Sequence, residues 1–152
     1  PRSGVIHHYL NEETTVMGVT EPGVIIVSDL LPMVEKEKKV APHNGSFSKI
    51  LGKYVREQGL LDLPTALSKM TLLPARRLEN YAPIFKSKGR IKIGADADIT
   101  IFDATNITSK ATYQNPYQEA IGFHHVIVNG VQVMKDSEVV EGQFPGKRLL
   151  AK

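Results

Sequence analysis

The sequence predicts an α/β chain that ends in a β subdomain. Three observations carry this. A run of four β-branched residues, Val24-Ile25-Ile26-Val27, is followed by two or three short helical patterns. The stretch Gly89–Asp103, GRIKIGADADITIFD, reads as strand, tight turn, strand. Asn129-Gly130 sits between two alternating apolar runs, the strongest short-range hairpin pattern. The division this implies is residues 1–84 for the α/β part and 85–152 for the β subdomain.

Residues 1–22 are irregular with one helix. Asn11 is a capping type, and Glu12 and Glu13 follow it, which suits a helix N-terminus. Pro22-Gly23 ends that helix. His7 and His8 are adjacent, so on a strand they point to opposite faces. They read as surface or hydrogen-bonded histidines, not as ligands of one metal.

Residues 23–29 form the second informative stretch. Four consecutive β-branched residues fit a strand buried on both faces, as in parallel sheets and barrels. The run ends in Ser28-Asp29. Barrel enzymes place chemistry at the C-terminal ends of such strands. On pattern alone Asp29 is equally a helix cap or a turn residue. Residues 32–46 read as a loop with two prolines and a mixed charge run, and His43 within it reads as a polar site group or an ordinary loop histidine.

Residues 47–58 are predicted helical, with Ile50, Leu51, Tyr54 and Val55 as the apolar stripe and Gly59 as the stop. Asp62 caps a second helix over 62–71, with Pro64 in its first turn. A third short helix spans 73–80. Residues 80–88 are a linker. In the 89–103 unit, Ile91 and Ile93 make one strand, and Ile99 and Ile101 share a face of the next. Gly94 supplies the turn, and the Asp residues bond nearby backbone N–H groups. Residues 104–117 are loop. His124 and His125 lie on the predicted hairpin and read as structural. Lys135-Asp136-Ser137 turns the chain again before Glu138-Val139-Val140.

Composition bounds the function. Of 152 residues, 41% are hydrophobic and 23% charged, an ordinary globular balance. No run approaches the ~18 apolar residues of a membrane span, and no signal pattern opens the chain. A soluble protein is expected, with the cytoplasm favoured over the periplasm. The absence of cysteine excludes disulfides and thiolate metal sites. The net charge of +3 is spread thinly, and the densest basic group, Lys36, Lys38 and Lys39, alternates with Glu35 and Glu37. A solvated loop accounts for it, so nucleic-acid binding is not expected.

Several segments together resemble one enzyme family. Gly89–Asp103 is similar to the late β segment of the metal-dependent amidohydrolase superfamily. Lys69-Met70-Thr71-Leu72-Leu73-Pro74-Ala75-Arg76-Arg77-Leu78 resembles the K-M-T-x-x-P-A-x-R-L segment that follows its last barrel strand. Ala111–Pro116 and the closing Gly142–Lys152 stretch match further family phrases. The resemblance covers nearly the whole chain, most tightly residues 45–147, and lies closest to the N-acyl-D-amino-acid deacylase (D-aminoacylase) branch.

That resemblance implies a fold. The chain would be the last strand and helices of a (β/α)8 barrel, followed by part of a small β-sandwich domain. It also implies chemistry. Val27-Ser28-Asp29 matches the last barrel strand, where the family's Asp is the acid/base beside the metal. Asp29 would accept a proton from metal-bound water, touching the metal or that water, and return one to the leaving amine. Relatives carry Gly after this Asp; Leu30 stands here, so the loop is shaped differently. Ser28 and His43 are the substrate-binding candidates. Where relatives read His-Pro-Arg before Gly-(Ser/Thr)-Phe, this chain has Ala41-Pro42-His43 before Gly45-Ser46-Phe47.

A (β/α)8 barrel needs about 250 residues, and the family's other metal ligands come from earlier strands. None of the five histidines has ligand spacing with Asp29, and a catalytic zinc needs about three protein ligands. The expected protein is therefore the C-terminal part of an amidohydrolase that cleaves a linear amide (C–N) bond of a small N-acyl amino acid. Zinc or another divalent metal would belong to the parent enzyme, and this chain alone would be inactive and bind none. Its expected partners are the missing N-terminal part and, through exposed apolar strand edges, further copies of itself. The alternative is a non-catalytic α+β interaction or oligomerisation module derived from such an enzyme.

Overall fold

The computed structural model describes residues 10–30 and 44–150. Helix α1 (Glu12–Thr20) starts where the sequence places it, with Asn11 accepting a hydrogen bond from the Thr14 N–H at 2.8 Å. Helix α2 (Ser46–Lys49) runs directly into a π-helical segment, Ile50–Glu57. Helix α3 (Leu63–Met70) is capped by Asp62, whose carboxylate accepts from the Thr65 N–H at 2.6 Å. Helix α4 (Leu72–Leu78) follows, then a 3-10 turn at Pro83–Ser87. Each cap satisfies a backbone donor that a helix end otherwise leaves without a partner.

The predicted stripe on 47–58 is the core. Ile50, Leu51 and Tyr54 are buried, and they pack with Ala66 and Ile107. Ile107 belongs to the loop after the first strand, yet it is 0% exposed. Two glycines admit it. A Cβ on Gly52 would lie 2.7 Å from the Ile107 carbonyl oxygen, and one on Gly122 would lie 2.5 Å from its Cα. The Arg56 guanidinium donates to the same Ile107 carbonyl. The π register of 50–57 was not predicted. Gln58 N–H closes it onto the Lys53 carbonyl at 2.9 Å.

The second part is one four-stranded antiparallel sheet in the order β1-β2-β3-β4. The strands are β1 (Ile99–Phe102), β2 (Phe123–Val128), β3 (Val131–Lys135) and β4 (Glu138–Val139). Asn129 and Gly130 both take positive φ, 48° and 79°, as a two-residue type I′ turn requires. Asp136 and Ser137 do the same in the next turn. The second layer of a sandwich is not among the described residues.

Two expected strands do not form. Gly23–Asp29 pairs with no strand among the described residues. Its apolar side chains are not buried on both faces: Val27 is 62% exposed. The physical reason is that a parallel strand exists only through the N–H and C=O groups of its neighbours, and no described strand pairs with it. The strand expected at Ile91 and Ile93 also lacks a pairing partner among the described residues: the two are 93% and 104% exposed, Ile93 lies in a turn and Ile91 in no regular element.

Of the acidic residues in that unit, Asp103 accepts a nearby backbone N–H as expected, from Thr105 at 2.8 Å, whereas Asp96 and Asp98 take other partners. Asp96 accepts from the Ser87 hydroxyl at 2.6 Å and pairs with the Lys88 ammonium at 3.1 Å. Asp98 accepts from the Asn129 N–H at 2.8 Å and also pairs with Lys88. The hairpin turn is thereby tied to the start of β1. The Asn129 N–H, and after it Lys88, hold the Asp98 carboxyl below the usual carboxylate range. A depressed folded pKa stabilises fully above the unfolded value, near 4, and that contribution disappears as pH falls through the folded value. Asp98→Asn is therefore expected to shrink the loss of urea midpoint between about pH 5 and about pH 2.5. An unchanged loss would show that Asp98 is not a source of the acid sensitivity.

Candidate functional site

The site begins with the turn that follows the β-branched run. Asp29 has φ 48°, in the left-handed region where Asp and Asn are tolerated far better than β-branched residues. Its side chain is exposed. The Ser28 hydroxyl accepts from the Leu30 N–H at 3.4 Å, a long bond that closes the turn. Ser28 and Asp29 are thus brought together on one bend. His43, the other substrate candidate, lies outside the described residues, as do His7 and His8. His124 and His125 lie on β2. His125 Nδ1 lies 3.0 Å from Gln132 Nε2 and accepts from the Asp136 N–H at 3.4 Å, so it serves the sheet.

What holds the 21–29 segment is Lys69. Only 2% of its surface is exposed. Its ammonium donates to the carbonyls of Glu21 and, at 3.2 Å, Val24. Its own carbonyl accepts from the Ile26 N–H at 3.0 Å. The sequence held a sign of this residue: Lys69 lies three positions after Ala66, on the buried face of α3. Its length and charge, however, point to the surface in any reading by composition.

Beside this segment is a groove of about 570 Å³, lined among others by Ile26, Val27, Lys53, Tyr54, Ser109 and Tyr113. Lys53 pairs with Glu12 of α1 at 2.6 Å, and this contact, above all others, lowers the Glu12 pKa and raises that of Lys53. The Tyr54 hydroxyl is buried next to that pair without a hydrogen bond of good geometry, and burial pushes its pKa up. Neither Ser28 nor Asp29 lines this groove.

A metal centre would need several donors together. Among the described residues no group of three or more His, Cys, Asp or Glu side chains converges. The described donor set does not fit a metal: at the site it offers the single carboxylate of Asp29.

No family model matches the chain. Individual proteins do. It is 44% identical over 89 residues to the N-acyl-D-glutamate deacylase of Alcaligenes xylosoxydans xylosoxydans, covering 59% of this chain and 17% of that protein. It is 33% identical over 150 residues to the D-aminoacylase of the same organism, covering 97% of this chain and 29% of that enzyme. A D-aminoacylase variant solved in complex with copper chloride superposes with TM-score 0.63 at 36% identity, over 71% of this chain and 21% of that one. An N-acyl-D-glutamate deacylase from Bordetella bronchiseptica, solved with zinc and a phosphonate inhibitor, superposes with TM-score 0.55 at 36% identity, over 62% and 20%.

Sequence and backbone therefore define the class: the chain is homologous to D-aminoacylases, which form a subset of the amidohydrolases. Within that class its relatives are the D-aminoacylases and N-acyl-D-amino-acid deacylases, and it aligns with only part of them. It spans less than a third of the length of the curated relatives it matches. No helix among the described residues is long and apolar enough to cross a membrane.

Proposed function

We propose that this chain is the C-terminal part of a metal-dependent amidohydrolase that hydrolyses the amide bond of an N-acyl-D-amino acid. The observation that supports it most is the 33% identity to a D-aminoacylase along 97% of the chain. The site adds a reason of its own. An exposed carboxylate stands on a left-handed bend, at the end of a β-branched run that a buried lysine anchors.

In this reading Asp29 is the acid/base. Its carboxylate takes a proton from the attacking water and passes it to the nitrogen of the leaving amine. Ser28 and His43 flank the substrate. A divalent metal belongs to the whole enzyme, with Asp29 touching it or its bound water and its other ligands outside the described residues. The exposed Val24, Ile25 and Val27 support a further part of the reading. They are the face on which the remaining polypeptide, or a second copy, would pack.

The test is direct. The full-length protein that carries this chain should release free amino acid from N-acetyl-D-glutamate or related N-acyl-D-amino acids, and prefer them to the L forms. The 152-residue chain alone should release none. A full-length protein without activity on any N-acyl amino acid, with zinc supplied, would overturn the proposal.

A further inference from the structure

We propose that Lys69 is the positioning residue for Asp29, a role that rests on reading Asp29 as the acid/base. The argument starts from burial. A lysine with 2% exposure usually has a carboxylate beside it, because an ammonium loses its hydration when buried. None of the ion pairs among the described residues involves Lys69. Its donors go to main-chain carbonyls instead.

Those carbonyls are not arbitrary. Glu21 is the C-cap of α1, so the ammonium sits at the negative end of that helix. Val24 opens the β-branched run, and its carbonyl is the second acceptor. The Ile26 N–H returns a bond to the Lys69 main chain. One residue of α3 therefore grips the segment at positions 21, 24 and 26. Only Val27 and Ser28 separate the last grip from Asp29. The segment has no ladder bonds among the described residues, so its path there rests on this grip and on Ile26, which packs against the helical core.

An apolar side chain would fill the same space without the desolvation cost of a charge. What it would lack is donors for two carbonyls of the segment that ends in the carboxylate. Catalytic geometry tolerates displacements of only about 0.5 Å, and a misplacement of about 1 Å costs on the order of 10²-fold in rate. A residue that fixes the approach to Asp29 therefore acts on turnover without touching substrate.

The test uses the full-length protein. Lys69→Met keeps the length and apolar body of the side chain and removes the ammonium. We expect kcat to fall at least about tenfold with KM within about threefold. Hydrogen exchange of the 24–30 amides should quicken while α3 and α4 stay protected. The Asp29→Asn, Lys69→Met double variant should be no slower than Asp29→Asn alone, because the two residues act through one carboxylate.

Three results would overturn the inference. The first is wild-type turnover by Lys69→Met when Asp29→Asn is inactive. The second is a double variant slowed by the product of the two single effects. The third is exchange that quickens equally through α3 and α4, the mark of a merely structural residue. Should Lys69→Met fail to fold, Lys69→Arg keeps a cationic donor. It should match wild type in both turnover and 24–30 exchange, and reduced turnover with unchanged exchange would count against the role. Full activity of Asp29→Asn would instead remove the reading of Asp29 itself. The exchange experiment would then still report whether Lys69 holds the segment.

Discussion

Asp29→Asn in the full-length protein is expected to lower kcat by about 10²- to 10⁴-fold, the range of a lost general acid/base. The variant is chosen for what it leaves alone. Asn has nearly the shape of Asp and tolerates the left-handed backbone at φ 48°. The side chain is exposed, so no packing is lost. The amide cannot accept and release a proton near neutral pH, and the carboxylate's negative charge is removed with that ability. Steady-state hydrolysis of an N-acyl-D-amino acid, beside a thermal melt, checks the result. A melt within about 2 °C of wild type is expected, since surface substitutions stay within ~0.5 kcal/mol. Turnover within threefold of wild type would show that the proton is carried elsewhere.

The second large effect is on stability. Gly122→Ala is expected to cost about 2–6 kcal/mol, the sum of left-handed strain and overpacking. Gly122 has φ 91°, and a Cβ there would lie 2.5 Å from the Cα and 2.7 Å from the N of Ile107. Both are main-chain atoms and cannot swing aside. The Gly122 carbonyl also accepts from the Asp103 N–H at 2.8 Å, and Thr108 and Ile121 exchange bonds on either side. Gly94→Ala is the control. Gly94 has φ 79° but open space around it, so its cost is strain alone, about 1 kcal/mol. Urea midpoints of the two variants separate clash from strain. Equal midpoints would mean that the approach to Ile107 is looser than the structure gives.

What the sequence makes legible here is local. Asn11 and Asp62 cap helices with their own side chains, Gly59 ends one, and Asn129-Gly130 closes a hairpin. Each is decided within a few residues. Asp29 was legible as a candidate because it follows a β-branched run. What was not legible depends on distant partners. The strand expected at 23–29 needs neighbouring strands, and none of the described strands pairs with it. Ile91 and Ile93 alternate correctly yet meet no strand. Lys69 is named by a motif, but its carbonyl acceptors come from a segment far earlier in the chain. Within the π-helical segment Ile50–Glu57, Gly52 and Arg56 both meet Ile107, a residue about fifty positions on, and no periodicity encodes that contact.

The position of Ile107 has a thermodynamic consequence. The side chain comes from the stretch that carries the sheet, but its neighbours in the core are Ile50, Leu51, Tyr54 and Ala66 of the helices. Removing it from that cluster exposes both sides at once. Helices and sheet are therefore expected to unfold in one transition. Loss of helix and loss of sheet signal at the same urea midpoint in Gly122→Ala checks it, and two separate midpoints would show that Ile107 does not couple them.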